Sequence, residues 1–396
     1  MSVAVINIGD SHAGDPAGSA IPGDALVADG GVIAWIGDGT GVSASDHEQV
    51  VDAAGATVVP GFIDSHVHTT FGDFTPRQRT LDFLESYLHG GTTRVISASE
   101  VHVPGRPTDP TGVKALAIAA QRCFADYRPA GVTVHAGSII LEPGLTLADF
   151  QEVRAAGVEH AKAGFGAFDE PMGYVPVAHA AKEAGLTLMS HTGGGSIPGS
   201  AAKIDADVLL AMRPQVAGHV NGGPTALTVE ENARLVDEGD GIALQISHAG
   251  NLRSAIDIAE RALGAGAFDR VMISTDTPTG SGVISLGMLR QMAEMASLSD
   301  VTARQAIAAS TGNVGAVYGF EAGRLEVGRP ADLLVIDAPV GSAAGDALGA
   351  LDVGDLPAVA VAITQGVVRF ARSRNTPAPV RAVRVHGQGA VGPAPR

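Results

Sequence analysis

The sequence predicts an α/β protein, a (β/α)8 TIM barrel with a small β-sandwich domain built from both chain termini. Three observations predict it. Both ends of the chain are β-rich, whereas the middle alternates short apolar runs with Ala-rich helical segments. The middle holds eight such runs, one for each barrel strand. Lys162, His191, His219 and Asp276 follow one another at gaps of 29, 28 and 57 residues. A barrel of roughly 250 residues shared among eight units gives about 31 per unit, and 57 is about two units. The expected layout is 1–60 for the first part of the sandwich, 61–320 for the barrel, and 321–396 for the rest of the sandwich and a tail.

The elements follow in order. Strands are expected at 4–8, 25–28, 32–36 and 57–59, where residues are apolar or β-branched. Asp29-Gly30-Gly31 between two of them is a hairpin signal. Barrel strands are expected at 61–66, 93–97, 132–136, 158–162, 187–191, 215–219, 241–246 and 271–274. Helices are expected at 114–123, 175–184, 229–238, 254–262 and 286–296. The C-terminal strands are 332–337, 359–364 and 366–370, with Gln365-Gly366 at a turn. From Ser373 onward the chain is rich in Pro, Gly and Arg, and a loosely held tail is expected.

Composition narrows the function. Of 396 residues, 45% are hydrophobic and 17% charged, enough for a large core and unlike a disordered chain. Net charge is −16 and no stretch is rich in Lys and Arg, which argues against a nucleic-acid partner. The one cysteine, Cys123, excludes an intrachain disulfide and a cysteine-rich zinc module. It sits on an apolar helix and is expected in the core. No apolar run reaches the ~18 residues needed to span a bilayer. No basic segment followed by an apolar one opens the chain. The expectation is a soluble cytoplasmic protein with no membrane partner.

The candidate chemistry lies at strand ends. In His66-Val67-His68, residues i and i+2 of a strand face one side, so two imidazoles converge. A lone pair of this kind is equally well read as packing histidines. His191, His219 and Asp276 add donors at barrel-phased strand ends, on the face where active sites of this fold lie. Imidazole and carboxylate suit a divalent ion such as Zn²⁺. Lys162 falls in the same phase, in a chain with only four lysines. A protonated amine would be repelled there. An amine carboxylated by CO₂ would be anionic and could bridge two ions. The alternative is a lysine snorkelling out of a strand end.

These residues resemble the amidohydrolase superfamily. The matching elements are Pro60-Gly61-Phe62-Ile63-Asp64-Ser65-His66-Val67-His68, the phased Lys162, His191, His219 and Asp276, and the exit segment 323–332. The resemblance implies two divalent metal ions, Zn first, with Fe or Mn as alternatives. It places His66 and His68 on one ion and His191 and His219 on the other. Lys162 would bridge them, and Asp276 would ligate the first. Segments 76–79, 102–107, 191–200, 221–225 and 373–377 are similar to the enamidase branch. That branch opens a cyclic enamide, 6-oxo-1,4,5,6-tetrahydronicotinate, to 2-formylglutarate and ammonia. Asp276 is the expected proton carrier.

Candidate substrate contacts are Arg77, Arg79, Arg106, Thr192, Asn221 and His248. The arginines would hold a substrate carboxylate. Each has a plainer reading, a solvated arginine or a packed polar side chain. Arg253 is a further candidate, and His135 is read as packing or support. The partner is expected to be a small cyclic amide, and the chain a homo-oligomer, with a tetramer as one form. The competing readings are a hydantoinase- or dihydropyrimidinase-like ring opener with the same ligands, and a metal-free structural homologue.

Overall fold

The computed structural model describes residues 1–69, 80–99, 105–194, 203–222, 227–278 and 283–387. Both chain ends build the sandwich. One five-stranded sheet runs, in spatial order, Arg384–Gly387, Gln49–Asp52, Ser2–Ile6, Ala25–Asp29, Val32–Gly37. The other runs Val367–Phe370, Ala358–Thr364, Leu333–Asp337, Thr57–Pro60, Asp10–Ser11. Val3, Val5, Leu26, Ile33, Val51, Val58, Leu333, Val335 and Val361 are buried in one cluster. Alternate side chains of a strand face one side, so these β-branched runs cover each other.

The expected hairpins form. Gly30 and Gly31 both have positive φ, 58° and 89°, and Asp29 pairs with Val32. Gln365 and Gly366 repeat the arrangement, at 51° and 69°, with Thr364 opposite Val367. Two residues with positive φ match the twist of the flanking strands.

The tail is a correction. Residues 373–387 are held, not loose. Arg384–Gly387 pairs antiparallel with Gln49–Asp52. Ser373 Oγ donates to the His89 carbonyl at 2.6 Å, Arg374 pairs with Glu85, and the Arg381 amide donates to Asp337 at 2.6 Å. Pro, Gly and Arg composition reports low intrinsic order. It is blind to main-chain pairing with a distant edge strand.

Eight barrel strands occupy the middle. Barrel strands one and two are Phe62–Val67 and Thr92–Ser97. Strand three is split into Thr133–His135, which pairs with strand two, and Ile139–Ile140, which pairs with strand four. Strands four to eight are His160–Ala163, Thr187–Ser190, Val216–Ala217, Ala243–Ser247 and Val271–Ser274. All described pairings among them are parallel. The circle closes where Asp276 N donates to His66 O at 2.9 Å and His68 N to Thr277 O at 2.8 Å.

Outer helices bury one stripe each. Pro110–Phe124 buries Val113, Ala117 and Ala120, and Leu252–Gly264 buries Ala255, Ile258, Ala259 and Ala262. Cys123 lies off its helix's stripe and is exposed, so the expectation of a core cysteine is corrected. Inside the barrel, Ile63, Ile96, Met189, Val216, Ala243 and Met272 form an apolar plug with Val314 and Tyr318 of the helix Gly312–Tyr318. Asp332 joins the two domains. Its carboxylate holds Arg94 of strand two at 2.7 Å, and its carbonyl accepts from Gly61 N at 2.9 Å. No helix among the described residues is long and apolar enough to cross a membrane.

Candidate metal centre

The strand ends bring His66, His68, Lys162, His191, His219 and Asp276 to one end of the barrel. His66 Nε2 lies 3.2 Å and His68 Nε2 3.3 Å from Asp276 Oδ1. One donor atom from each of these three lies within 4.8 Å of the others. The His66 and His219 rings are 5.3 Å apart, and the His191 and His219 rings 4.6 Å. His191 Nδ1 and His219 Nε2 are in contact at 2.9 Å. Lys162 is fully buried, with Nζ 3.3 Å from Met189 Sδ.

The backbone is bent to achieve this. His219 and Asp276 have φ of 36° and 56°, in a region that costs a non-glycine residue roughly 1–3 kcal/mol. Such strain persists where surrounding contacts over-determine it. Two buried side chains supply them, and neither stood out as a candidate from spacing alone. Gln245 on strand seven accepts from His66 Nδ1 at 2.7 Å and donates to Ser65 Oγ at 2.8 Å. That fixes the tautomer of His66 and leaves the Nε2 lone pair, 3.2 Å from Asp276 Oδ1, as its metal-ligating atom. Asp64 accepts from His66 N at 3.2 Å and from the amide and hydroxyl of Thr275. It ties strand one to strand eight beside Asp276. The signal for Gln245 was a lone amide inside the apolar run 243–246; Asp64, followed by Ser65 and His66, carried no such contrast.

Burial sets the protonation states. It holds His66 and His191 well below the usual imidazole value, helped by neighbouring Lys162 and histidines, and His219 at about 4. These imidazoles are therefore neutral near pH 7, the ligating form. Burial pushes Lys162 down to about 8, against the pull of Asp276. Burial would raise Asp276, but His66, His68 and His219 outweigh it and hold the carboxyl well below its usual range. Asp64, burdened chiefly by burial, is raised to about 7.

The donor set fits a divalent metal. His191 Nε2 and His219 Nδ1 are buried without a hydrogen-bond partner among the described residues. Their other nitrogens, His191 Nδ1 and His219 Nε2, face each other at 2.9 Å; with the proton of each neutral ring on its unpartnered nitrogen, two lone pairs converge on the space between them, as metal donors do.

The other expected contacts are more engaged. Thr192 Oγ1 donates to the Gly218 carbonyl. Asn221 donates to Ser247 O at 2.9 Å and accepts from Ser247 N at 2.7 Å, clasping two loops together. Both are buried. His248 Nδ1 lies 3.6 Å from Glu294. The Arg106 guanidinium is paired with the buried Glu142 and donates to the carbonyls of Pro107 and Phe165. Phe165 in turn packs edge-on against His191. Arg106 thus braces the loop behind the histidine. Arg253 is exposed. His135 packs on Phe320 rather than at the centre. Arg77 and Arg79 lie outside the described residues.

Comparison with known proteins agrees with this architecture. The chain is 43% identical to enamidase of Eubacterium barkeri over 387 residues, covering 97% of this chain and all of that one. It is 28% identical to imidazolonepropionase of Streptomyces griseus subsp. griseus, over 80% of this chain and 86% of that one. Among solved structures it is similar to that of enamidase at a TM-score of 0.92 and 42% identity, over 98% of this chain and 100% of that one. Residues 57–369 match the model of the amidohydrolase family, and they include every strand and side chain of the candidate centre. The chain belongs to the amidohydrolase family.

Proposed function

We propose that this chain opens a six-membered cyclic enamide bearing a ring carboxylate, 6-oxo-1,4,5,6-tetrahydronicotinate, to 2-formylglutarate and ammonia. As a member of its family it is a hydrolase of carbon–nitrogen bonds. The enamide reading is carried by similarity to enamidase along nearly the whole chain, joined to six potential donor residues at one end of the barrel, five of them buried.

In this reading His66, His68 and Asp276 would hold one divalent ion and His191 and His219 a second, with Lys162 as a ligand shared between them. Zn²⁺ suits the imidazoles and carboxylate. When bound, such ions make hydroxide available near neutral pH and polarise the amide carbonyl. Lys162 contributes as a carbamate. Its neutral amine adds to the carbon of CO₂ and loses one proton, leaving an anionic group with two oxygens. Its burial and lowered basicity support that step. Asp276 takes the proton of the attacking water and delivers it to the leaving ring nitrogen. The enamine released by ring opening tautomerises. Its hydrolysis yields the aldehyde and ammonia. Arg77 and Arg79 are the candidates for the substrate carboxylate, since Arg106 is paired with Glu142.

The test is direct. The zinc-loaded protein is incubated with the lactam, and ammonia and 2-formylglutarate are followed by NMR. Stoichiometric release of both is expected, with the decarboxylated lactam far slower in kcat/KM. Fast turnover of hydantoin or dihydrouracil and none of the lactam would overturn the reading.

A further inference from the structure

A second donor cluster lies away from the centre just described. His135 ends the first segment of strand three and His160 opens strand four. One donor atom each from His135, Glu159 and His160 lies within 4.8 Å of the others. His160 stands two residues before Lys162 on the same strand, so both face one side and differ by about one layer, roughly 6.6 Å. The candidate centre lies at the C-terminal end of the strands, and this cluster at the opposite mouth. Tyr318 and Phe320, from the plug that closes this mouth, pack on it. The His160 ring meets Tyr318 edge-on at 5.5 Å, and His135 stacks on Phe320 at 4.0 Å.

Three of the imidazole nitrogens here have no hydrogen-bond partner among the described residues. His160 is 3% exposed, and neither of its ring nitrogens has a hydrogen-bond partner among the described residues. His135 Nε2 is likewise buried without a partner among the described residues. An imidazole enclosed with both nitrogens unpaired is unusual enough to require an occupant, an ion or a water. Two imidazoles and a carboxylate are the donor set of a three-residue zinc site that keeps one position for water.

We propose that His135, His160 and Glu159 bind a divalent metal ion of the zinc class at the N-terminal mouth of the barrel. The ion fastens strands three and four beneath the plug. In this fold the N-terminal face serves stability and the opposite face catalysis, so the ion is assigned a fastening role and no catalytic one, although its three-residue donor set leaves the fourth position to water. The nearby cations do not oppose it. Arg94 is held by Asp332 at 2.7 Å, and Arg128 donates to the carbonyls of Phe124 and Ala125. Arg154, 3.7 Å from Glu159, yields its partner to the ion. Glu159 is half exposed at its side chain, which leaves a path for entry.

The experiment is diffraction from crystals of the full chain grown with Zn²⁺, recorded on both sides of the zinc absorption edge. An anomalous peak is expected about 2.0–2.2 Å from the donors of His135, His160 and Glu159. Metal analysis of the zinc-loaded protein provides a second readout. Glu159→Gln, an exposed change that should not disturb folding, and His135→Gln should each bind one equivalent fewer than the parent, with kcat within two-fold. A water without anomalous signal at this position, or equal zinc content in parent and variants, would overturn the proposal. Zinc at His66, His68 and Asp276 in the same crystals is independent of this outcome, so the two readings fail separately.

Discussion

His191 Nδ1 lies 2.9 Å from His219 Nε2, although 28 residues separate them in the chain. The parallel pairing of strands five and six, Met189 opposite Val216, produces that contact. Both rings are buried, and their remaining nitrogens have no hydrogen-bond partner among the described residues. Two neutral imidazoles so placed present lone pairs to one region. Replacing either with Asn should lower metal content first and activity with it. The loss should exceed the ~10–100-fold that removal of an outer partner causes. Elemental analysis beside kcat/KM checks this. Full metal content in an inactive variant would count against a ligand role.

Gln245 tests the support beneath the centre. Its carbonyl accepts from His66 Nδ1 at 2.7 Å. Gln245→Leu keeps the volume and removes that acceptor, so His66 loses its fixed tautomer. Metal affinity should fall about 10–100-fold. Gln245→Glu retains the acceptor and should recover much of it. Competition with a chelator measures both, and equal affinities for parent and Leu variant would refute the role.

Asp276 is expected to carry the proton. Asp276→Asn keeps the shape but cannot accept a proton, and turnover should drop by ~10²–10⁴-fold while far-UV circular dichroism is unchanged. Activity within a few-fold of the parent at full metal occupancy would remove Asp276 from the proton path.

Gly164 positions His191 from behind. Its φ is 123°, and an added Cβ would stand 2.2 Å from the His191 Cβ. Gly164→Ala must therefore shift strand four or the histidine. We expect at least a tenfold loss of kcat/KM and a cost of about 1–3 kcal/mol in stability. A parent-like enzyme would show that the loop yields without moving His191.

His12 should make the sandwich sensitive to acid. It is fully buried, accepts from Gly14 N at 2.8 Å, and burial holds it at about 4, below its ordinary 6.5. Above pH 6.5 the ring is neutral in both states and contributes no pH dependence. Between 6.5 and about 4 the unfolded chain binds a proton that the folded chain refuses, so stability falls as pH falls. Below about 4 the loss levels off. At ~1.4 kcal/mol per pH unit, the whole effect approaches ~3 kcal/mol. Urea unfolding at pH 7 and pH 5 should show a drop that His12→Gln reduces. An identical drop in both proteins would assign the acid sensitivity elsewhere.

The sequence by itself determined the barrel, its phase and the six converging residues. Strands repeat at an interval set by strand, helix and two loops. Residues that recur at that interval fall at or near the same end of their strands, as Lys162 inside strand four and His191, His219 and Asp276 just beyond strands five, six and eight do. The hairpins at Gly30-Gly31 and Gln365-Gly366 were legible because positive φ is a local demand that glycine meets. Only the tertiary structure decided the rest. Gln245 reaches His66 across 179 residues, Asp64 reaches Thr275 across 211, and Arg106 reaches Phe165 across 59. The edge strand Arg384–Gly387 is defined by its partner Gln49–Asp52 rather than by its own residues. Periodicity reports which way a side chain faces along its own strand. It carries no information on which distant polar atom completes a hydrogen bond, because strand stagger and loop path set that distance.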